Sequence, residues 1–347
     1  MAERILILRF GSLGDVVLSF AAGELLARAR PKASIVYLVK SAYVDLVAAQ
    51  PWVAEARELT DKDRGFWGGQ KLRKRLKGEH WDAVLDLQDN PRSRFLAQGL
   101  APIQARWDAR RGQRRAWVAK RKLRGLGVRE EPVRPEWLRF RDAARELGAG
   151  EAQPPRVHWT EAADRAAQAF FDEWQSDSPA PVVALAPAAS WPTKEWSQAQ
   201  TVALGRRLAA TGWRVLLLSR ADERARLDEV RAWVASEPVA RWMQGDLLTV
   251  AAALSKSRVA VCPDSGLMHL AAAVGTPVVA LFGSTVPELG FAPAGAGHRI
   301  VQREMSCRPC HVHGRKECPL KHHACLRGIE PDEVFEAATT LAAQRVG

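Results

Sequence analysis

The apolar positions of this chain come in short unbroken runs separated by helix-length amphipathic stretches. The run Arg4–Phe10 (RILILRF) is the first. Continuous rather than alternating apolarity marks a strand covered on both faces, as in a parallel sheet. The run ends in Gly11, Ser12, Leu13, Gly14 and Asp15, and a helical pattern follows from Val16 to Ala29. Ser34–Val39 and Ala83–Leu87 read as further strands, with helical stretches over Gln70–Lys77 and Pro91–Leu100. Strand, loop, helix, strand is the doubly wound α/β pattern.

Composition shifts between Gly148 and Pro181, where prolines flank an Ala-rich acidic helix over Glu161–Gln175. A linker is expected at Gly148–Pro155. A second α/β series then begins, with strands at Val182–Ala186, Arg214–Leu218, Arg258–Val261 and Val278–Phe282. Helices are expected over Gln198–Ala210, Asp222–Ser236, Leu247–Ser255, Gly266–Ala273 and finally Pro331–Gln344. The pattern divides the chain into residues 1–150, 151–330 and a C-terminal helix in 331–347, without internal sequence repeats. Two halves built alike predict two Rossmann-like domains facing a central cleft.

A length of 347 residues suits two domains. An apolar fraction of 47% and a charged fraction of 26% exclude disorder, collagen and a disulfide miniprotein. The net charge of +12 points to an anionic partner or surface, although solvated arginine-rich helices produce the same excess. Fourteen Lys or Arg against six Asp or Glu lie between Ala101 and Gly150. A nucleic-acid binder would interleave aromatics with such cations, and Arg106–Trp107 and Arg115–Trp117 are a thin version of that.

Between Arg4 and Arg9 only four apolar residues run together, too few for a secretory h-region of about 7–15. The apolar stretch Leu267–Val286 is interrupted by Gly275, Thr276 and Pro277 and contains His269, so it reads as helix, turn and strand. The expected location is the cytoplasm, with a basic face suited to an anionic membrane surface.

Three loops carry candidate chemistry. Gly11–Asp15 follows the first strand, where ligands bind in open α/β sheets, but lacks the G-x-G-x-x-G spacing of dinucleotide binders. It presents a carboxylate, Asp15, which serves a helix N-terminus as a cap or a reacting group as a base. Pro187–Trp196 follows the strand at Val182. Its Ser190 and Lys194 suit a diphosphate, or simply decorate a Pro-rich turn. Val261–Leu270 turns from strand into helix, so N–H groups at Ser265, Gly266 and Leu267 can bind phosphate oxygens. His269 on that helix is a ligand contact or a core residue.

Cys262 reads as a core thiol. Cys307, Cys310, Cys318 and Cys325, interleaved with four histidines, are compatible with structural zinc, a disulfide or free thiols. The literal Asp-x-Asp pair, Asp61 and Asp63, has no buried strand immediately before it, and no metal or other cofactor is expected.

Together the motifs are specific. The residues Ser12–Val16, Asp86–Ser93, Pro187–Trp196, Pro263–Ala272 and Leu281–Thr285 make this chain resemble the lipopolysaccharide heptosyltransferases, the ninth glycosyltransferase family. The likeness runs from Ile5 through the last helix. The tail Cys307–Cys325 looks more like that of the enzymes adding the second heptose than of those adding the first.

The resemblance implies a GT-B fold and inverting transfer from ADP-heptose to the anionic inner core of lipopolysaccharide. Carried over by motif, Asp15 is the base, Ser190 and Lys194 hold the diphosphate, and Thr193 belongs to the donor-binding set. Asp264, Ser265, Gly266 and His269 line the donor site, and Glu223 takes the ribose. Ser12, Gly14, Asn90 and Arg92, with the basic stretch Arg106–Arg124, meet the acceptor in the N-terminal domain. Inversion by one displacement needs a single base, and a nucleoside diphosphate leaves without a general acid. Other readings are a different GT-B sugar transferase, a sugar-nucleotide epimerase, or a basic nucleic-acid-binding protein.

Overall fold

A computed structural model describes residues 3–108, 111–120, 131–148, 150–151, 153–174 and 180–344. The chain divides into two compact units, Met1–Arg110 with Glu136–Thr160, and Arg111–Pro135 with Glu161–Gly347.

The first unit runs β1 (Arg4–Leu8), α1 (Leu13–Ala29), β2 (Ser34–Lys40), α2 (Val44–Ala48), β3 (Glu55–Leu59), α3 (Gly65–Lys77), β4 (Ala83–Asp86), α4 (Pro91–Ala97) and β5 (Ile103–Arg106). Helix α5 (Arg111–Lys120) belongs to the second unit, and α6 (Glu136–Arg145) returns to the first. The sheet is parallel throughout, in the order β3-β2-β1-β4-β5. The chain therefore changes direction across β1, with Leu8 opposite Leu38 on one side and Asp86 on the other. Leu6, Leu8, Val36, Leu38 and Val84 pack with Leu72 and Leu76 of α3 and Leu96 of α4. On α1, Val16–Ala22 is buried on every side, consistent with a helix covered by both sheet and α6. Each such Leu, Ile or Val side chain contributes about 1.5–3 kcal/mol on burial.

The second unit continues α7 (Glu161–Trp174), β6 (Val182–Leu185), α8 (Gln198–Ala210), β7 (Arg214–Leu217), α9 (Ala221–Arg224), α10 (Asp228–Ser236) and β8 (Ala240–Trp242). Then follow α11 (Leu247–Lys256), β9 (Val259–Pro263), α12 (Gly266–Ala273), β10 (Val278–Phe282), β11 (Arg299–Gln302), α13 (Ala324–Arg327) and α14 (Pro331–Gln344). Its sheet is parallel as well, in the order β11-β10-β9-β6-β7-β8, with the change of direction between β6 and β9. Among the described residues, no helix is long and apolar enough to cross a membrane. The stretch Leu267–Val286 resolves into α12, a turn and β10.

Three expectations are corrected. The division does not fall at residue 150. Residues 153–160 stay with the first unit, where the His158 N–H donates to Gln50 Oε1, while 111–135 joins the second. The cause is apolar: Trp117 of α5 packs with Val286, Leu289 and Phe291, and Val133 N donates to Glu288 O. The basic stretch Arg106–Arg124 is thereby split between units; its residues 109–110 and 121–124 lie outside the described residues. The helix expected over Asp222–Ser236 is broken, because Leu227 turns into the core with non-helical φ −104° and ψ 61°. The last helix, α14, is no separate element. Val334, Ala338 and Leu341 are part of the second unit's core.

Candidate active site

In the first unit the site forms where β1 and β4 end side by side. Arg9, one residue past β1, is only 3% exposed. Its Nη1 donates to Leu87 O at 2.6 Å, and its Nη2 pairs with Asp15 Oδ2 at 2.5 Å. The guanidinium also lies over the rings of Trp107 and Phe140, at 5.4 and 5.2 Å from their centroids. Ser12 N and Oγ donate to the same Asp15 oxygen, at 3.4 and 3.1 Å. Asp15 is thus the third residue of α1, oriented by a buried cation beneath it. The cap reading and the base reading of Asp15 describe one position. Ser12, the N-cap of α1, is exposed, and Gly14 in its first turn is buried.

The loop after β4 is built around Asp86. Buried at the strand end, this carboxylate accepts from Gln88 N, Asp89 N and Ser93 Oγ at 2.9–3.0 Å. Burial nevertheless prevails and raises its pKa above the usual carboxylate range. Asn90 caps α4, its Oδ1 accepting from Ser93 N at 2.8 Å. Arg92 lies over Phe10 and donates to Asp63 O at 2.7 Å. Both residues expected on the acceptor side therefore also hold local structure.

In the second unit the site forms at the carboxyl ends of β6, β9 and β10, which are neighbours in the sheet. Lys194 comes from the loop after β6, Asp264 from the end of β9 and Thr285 from the loop after β10. Lys194 Nζ meets Asp264 Oδ2 at 2.6 Å, and Thr285 Oγ1 donates to that oxygen at 2.7 Å. Burial pushes the Asp264 carboxyl up, but the Lys194 charge and the bonds from Lys194 and Thr285 outweigh it. The net pKa is below the usual value. Ser265 then opens α12 without using its side chain as a cap. Its Oγ is buried with no hydrogen-bond partner among the described residues. His269 is buried on the same helix, close enough for its charge to favour ionised Asp264.

The other candidates have different surroundings. Ser190 is exposed on its loop, which Glu195 fixes by accepting from Ala189 N at 3.0 Å and pairing with Arg226. Thr193 is buried, and its hydroxyl is fully engaged: it accepts from Ser284 Oγ and Arg315 N and donates to Arg315 O. Glu223 is buried at the start of α9, one oxygen accepting from Arg220 N and the other paired with its guanidinium. Both oxygens thus serve the start of this helix.

The residues that sequence reasoning missed are two buried arginines, Arg9 and Arg308. Arg308 is 3% exposed and donates to Phe282 O, Gly283 O and Thr285 O, to Gln302 Oε1 and to Arg303 O. Cys310 N adds a bond to Ser284 O at 2.9 Å. The cysteine-rich segment thus buttresses the two loops that bring Lys194 and Thr285 to Asp264. Gly283 is required there, since a Cβ would stand 2.5 Å from the Leu326 side chain of α13. All five cysteines are thiols in this structure. Among the described residues no group of three or more His, Cys, Asp or Glu is placed to hold a metal ion.

Two parallel Rossmann-like sheets with polar loops at their carboxyl ends are the architecture of the GT-B class, to which the solved neighbours below belong. Residues 70–322 match the sequence profile of glycosyltransferase family 9 (heptosyltransferase), and the chain belongs to that family. It is 27% identical over 329 residues to lipopolysaccharide heptosyltransferase 1 of Pseudomonas aeruginosa, covering 88% of this chain and 86% of that protein. Lipopolysaccharide heptosyltransferase 2 of Escherichia coli is 28% identical over 178 residues, half of each chain. Among solved structures, a family 9 glycosyltransferase from Veillonella parvula superposes with a TM-score of 0.79 at 18% identity, over 99% of this chain and 98% of that one. E. coli ADP-heptose LPS heptosyltransferase II does so with 0.72 at 19% identity, over 99% and 100%. E. coli heptosyltransferase WaaC with ADP gives 0.64 at 22%, over 86% and 92%.

Proposed function

We propose that this chain transfers heptose, with inversion, from ADP-heptose to the anionic inner core of lipopolysaccharide. The observation that carries the reading is the Lys194–Asp264–Thr285 cluster at the start of α12, beside an uncommitted Ser265 hydroxyl. A cation next to a helix N-terminus suits a diphosphate on which charge develops as it leaves. The second unit is accordingly the donor side, with Ser190, Gly266 and His269 around the nucleotide sugar. The first unit is the acceptor side, with Ser12 and Gly14 next to Asp15 and with Asn90 and Arg92 at the start of α4.

In the reaction, an acceptor hydroxyl attacks the anomeric carbon from the face opposite the diphosphate. Its proton passes to the Asp15 carboxylate, and the electron pair of the breaking C–O bond leaves with ADP. Lys194 and the N–H groups of α12 stabilise that leaving charge. The proposed acceptor is lipid-borne, so the reaction is proposed to run at a membrane surface, on the cytoplasmic side.

The test is incubation with ADP-heptose and inner-core acceptor that lacks heptose or carries only the first one, followed by mass spectrometry for one added heptosyl group and release of ADP. Donor consumption without acceptor gain rejects the transferase reading. A thermal-shift comparison of ADP, UDP, GDP and CMP checks the base. At one hundredfold saturation the bound nucleotide adds about 2.7 kcal/mol, so ADP should stand out.

A further inference from the structure

Helix α3 presents aromatic rings and cations together on its solvent face. Phe66 and Trp67 in its first turn are 69% and 77% exposed, their rings edge-to-face with centroids 5.3 Å apart. The packing of the helix explains why they point outward. Gly68 lies on the preceding turn so closely that a Cβ would stand 2.4 Å from Lys62 O and 2.6 Å from the Asp63 carbonyl carbon. Gly68, Leu72 and Leu76 form the buried side, and Trp67, Lys71, Lys74 and Arg75 share the opposite one. Lys62, Arg64 and Lys77 are exposed around them. Between Lys62 and Lys77 there are seven cations and a single carboxylate, Asp63, which is buried and paired with Arg75 at 2.5 Å.

Exposed aromatics at one end of a short cationic helix are the composition of a segment that lies in a membrane interface. The rings enter the headgroup boundary while the ammonium groups meet lipid phosphates. A nucleic-acid strand would instead be met by rings spaced among the cations. Here both rings sit together. We infer that α3 and the turn before it dock the protein on an anionic lipid bilayer, with Phe66 and Trp67 inserted and Lys62, Arg64, Lys71, Lys74 and Lys77 against the headgroups. The inference rests on the proposed function only for the lipid-borne nature of the acceptor.

Co-sedimentation with phosphatidylcholine vesicles, with and without phosphatidylglycerol, tests it. The wild-type chain should bind the anionic vesicles at least about tenfold more tightly than the neutral ones, and less as salt is added. Phe66→Ser with Trp67→Ser should weaken binding about tenfold. Lys71→Gln with Lys74→Gln should weaken it about twentyfold. All four side chains are exposed, and unchanged melting of both variants verifies the fold. Wild-type protein that stays in the supernatant, an aromatic variant that binds as wild type, or displacement from vesicles by single-stranded RNA overturns the inference. Transfer to a deacylated, water-soluble acceptor should be the same in the aromatic variant and the wild type. If vesicle binding holds but no transfer occurs, only the proposed function fails. If transfer holds but vesicles are not bound, only the docking surface fails.

Discussion

Replacing Lys194 by Met keeps most of the stem and removes the charge. In the native site Lys194 is 12% exposed and Asp264 5%, so solvent screens their 2.6 Å contact little. Lys194→Met leaves a buried carboxylate with the Thr285 hydroxyl as its remaining bonded partner from the cluster. Removing one partner of a buried pair costs about 3–5 kcal/mol, and the partial exposure of Lys194 argues for the lower end. For a unit of this size about 3 kcal/mol corresponds to roughly 6–12 °C in Tm. Adding Asp264→Asn removes the stranded charge while keeping an acceptor for Thr285, and should restore about 2 kcal/mol.

Activity should not follow stability. If Lys194 stabilises the leaving diphosphate, both variants lose about 10²–10³-fold in kcat. Scanning calorimetry and steady-state transfer measure the two effects separately. A Lys194→Met protein melting within about 2 °C of wild type would refute the burial argument. Recovery of transfer in the double variant would reduce Lys194 to a counter-ion of Asp264. The acid limb follows from the same pair. Because the folded Asp264 pKa is depressed, its stabilisation is complete above the unfolded aspartate value of about 3.9. It is lost as pH falls through the lower folded value, and the double variant should lack that limb.

Three further outcomes are expected. Asp15→Asn should lower kcat about 10²–10⁴-fold with donor Kd unchanged by titration calorimetry, and an unchanged kcat would leave Asp15 as a helix-start residue alone. Arg308→Met strands the carbonyls of Phe282 and Thr285, each costing about 1–3 kcal/mol, and should raise donor Kd as well as lower Tm; an unaltered Kd would separate the buttress from the site. In native protein at mildly alkaline pH, iodoacetamide should label Cys318 well before Cys262, read by peptide mass spectrometry. Burial pushes the Cys262 thiol up to about 12. Burial raises Cys318 too, but backbone N–H groups of His323, Leu320, His322 and Lys321 outweigh it and lower its pKa.

The strands legible in the sequence are the ones with neighbours on both sides. Apolar runs mark β1, β2, β4, β6, β7, β9 and β10, all interior to their sheets. Missing from the pattern are β3, β5, β8 and β11, which are the four edges. The reason is physical. β3 reads EAREL and β5 reads IQAR, because an edge strand is partly in water and carries charge that discourages pairing with other chains. Periodicity detects burial, so it goes silent where burial is incomplete. The split of α9 from α10 was equally hidden, since Arg226 and Leu227 continue a helical pattern and nothing local announces that Leu227 turns into the core.

The site was legible where loop chemistry is local and illegible where it depends on partners far along the chain. Glycine, proline and hydroxyl clusters at strand ends announce Gly11–Asp15, Pro187–Trp196 and Val261–Leu270. Nothing local announces that Thr193 bonds to Arg315, 122 residues away. Arginine is hardest to read in so basic a chain, because a buried arginine has the same spacing as a solvated one. Arg9, Arg114, Arg139, Arg141 and Arg308 are all below 10% exposed. Arg9, Arg114, Arg139 and Arg308 each donate to at least one backbone carbonyl, while Arg141 pairs with the adjacent Asp142. Three of these lie in the segment Ala101–Gly150 that supplies much of the net charge. Their charge orders loops from within, as Arg9 does for Asp15. An anionic partner must therefore be met by exposed cations, and on α3 those stand beside two exposed aromatic rings.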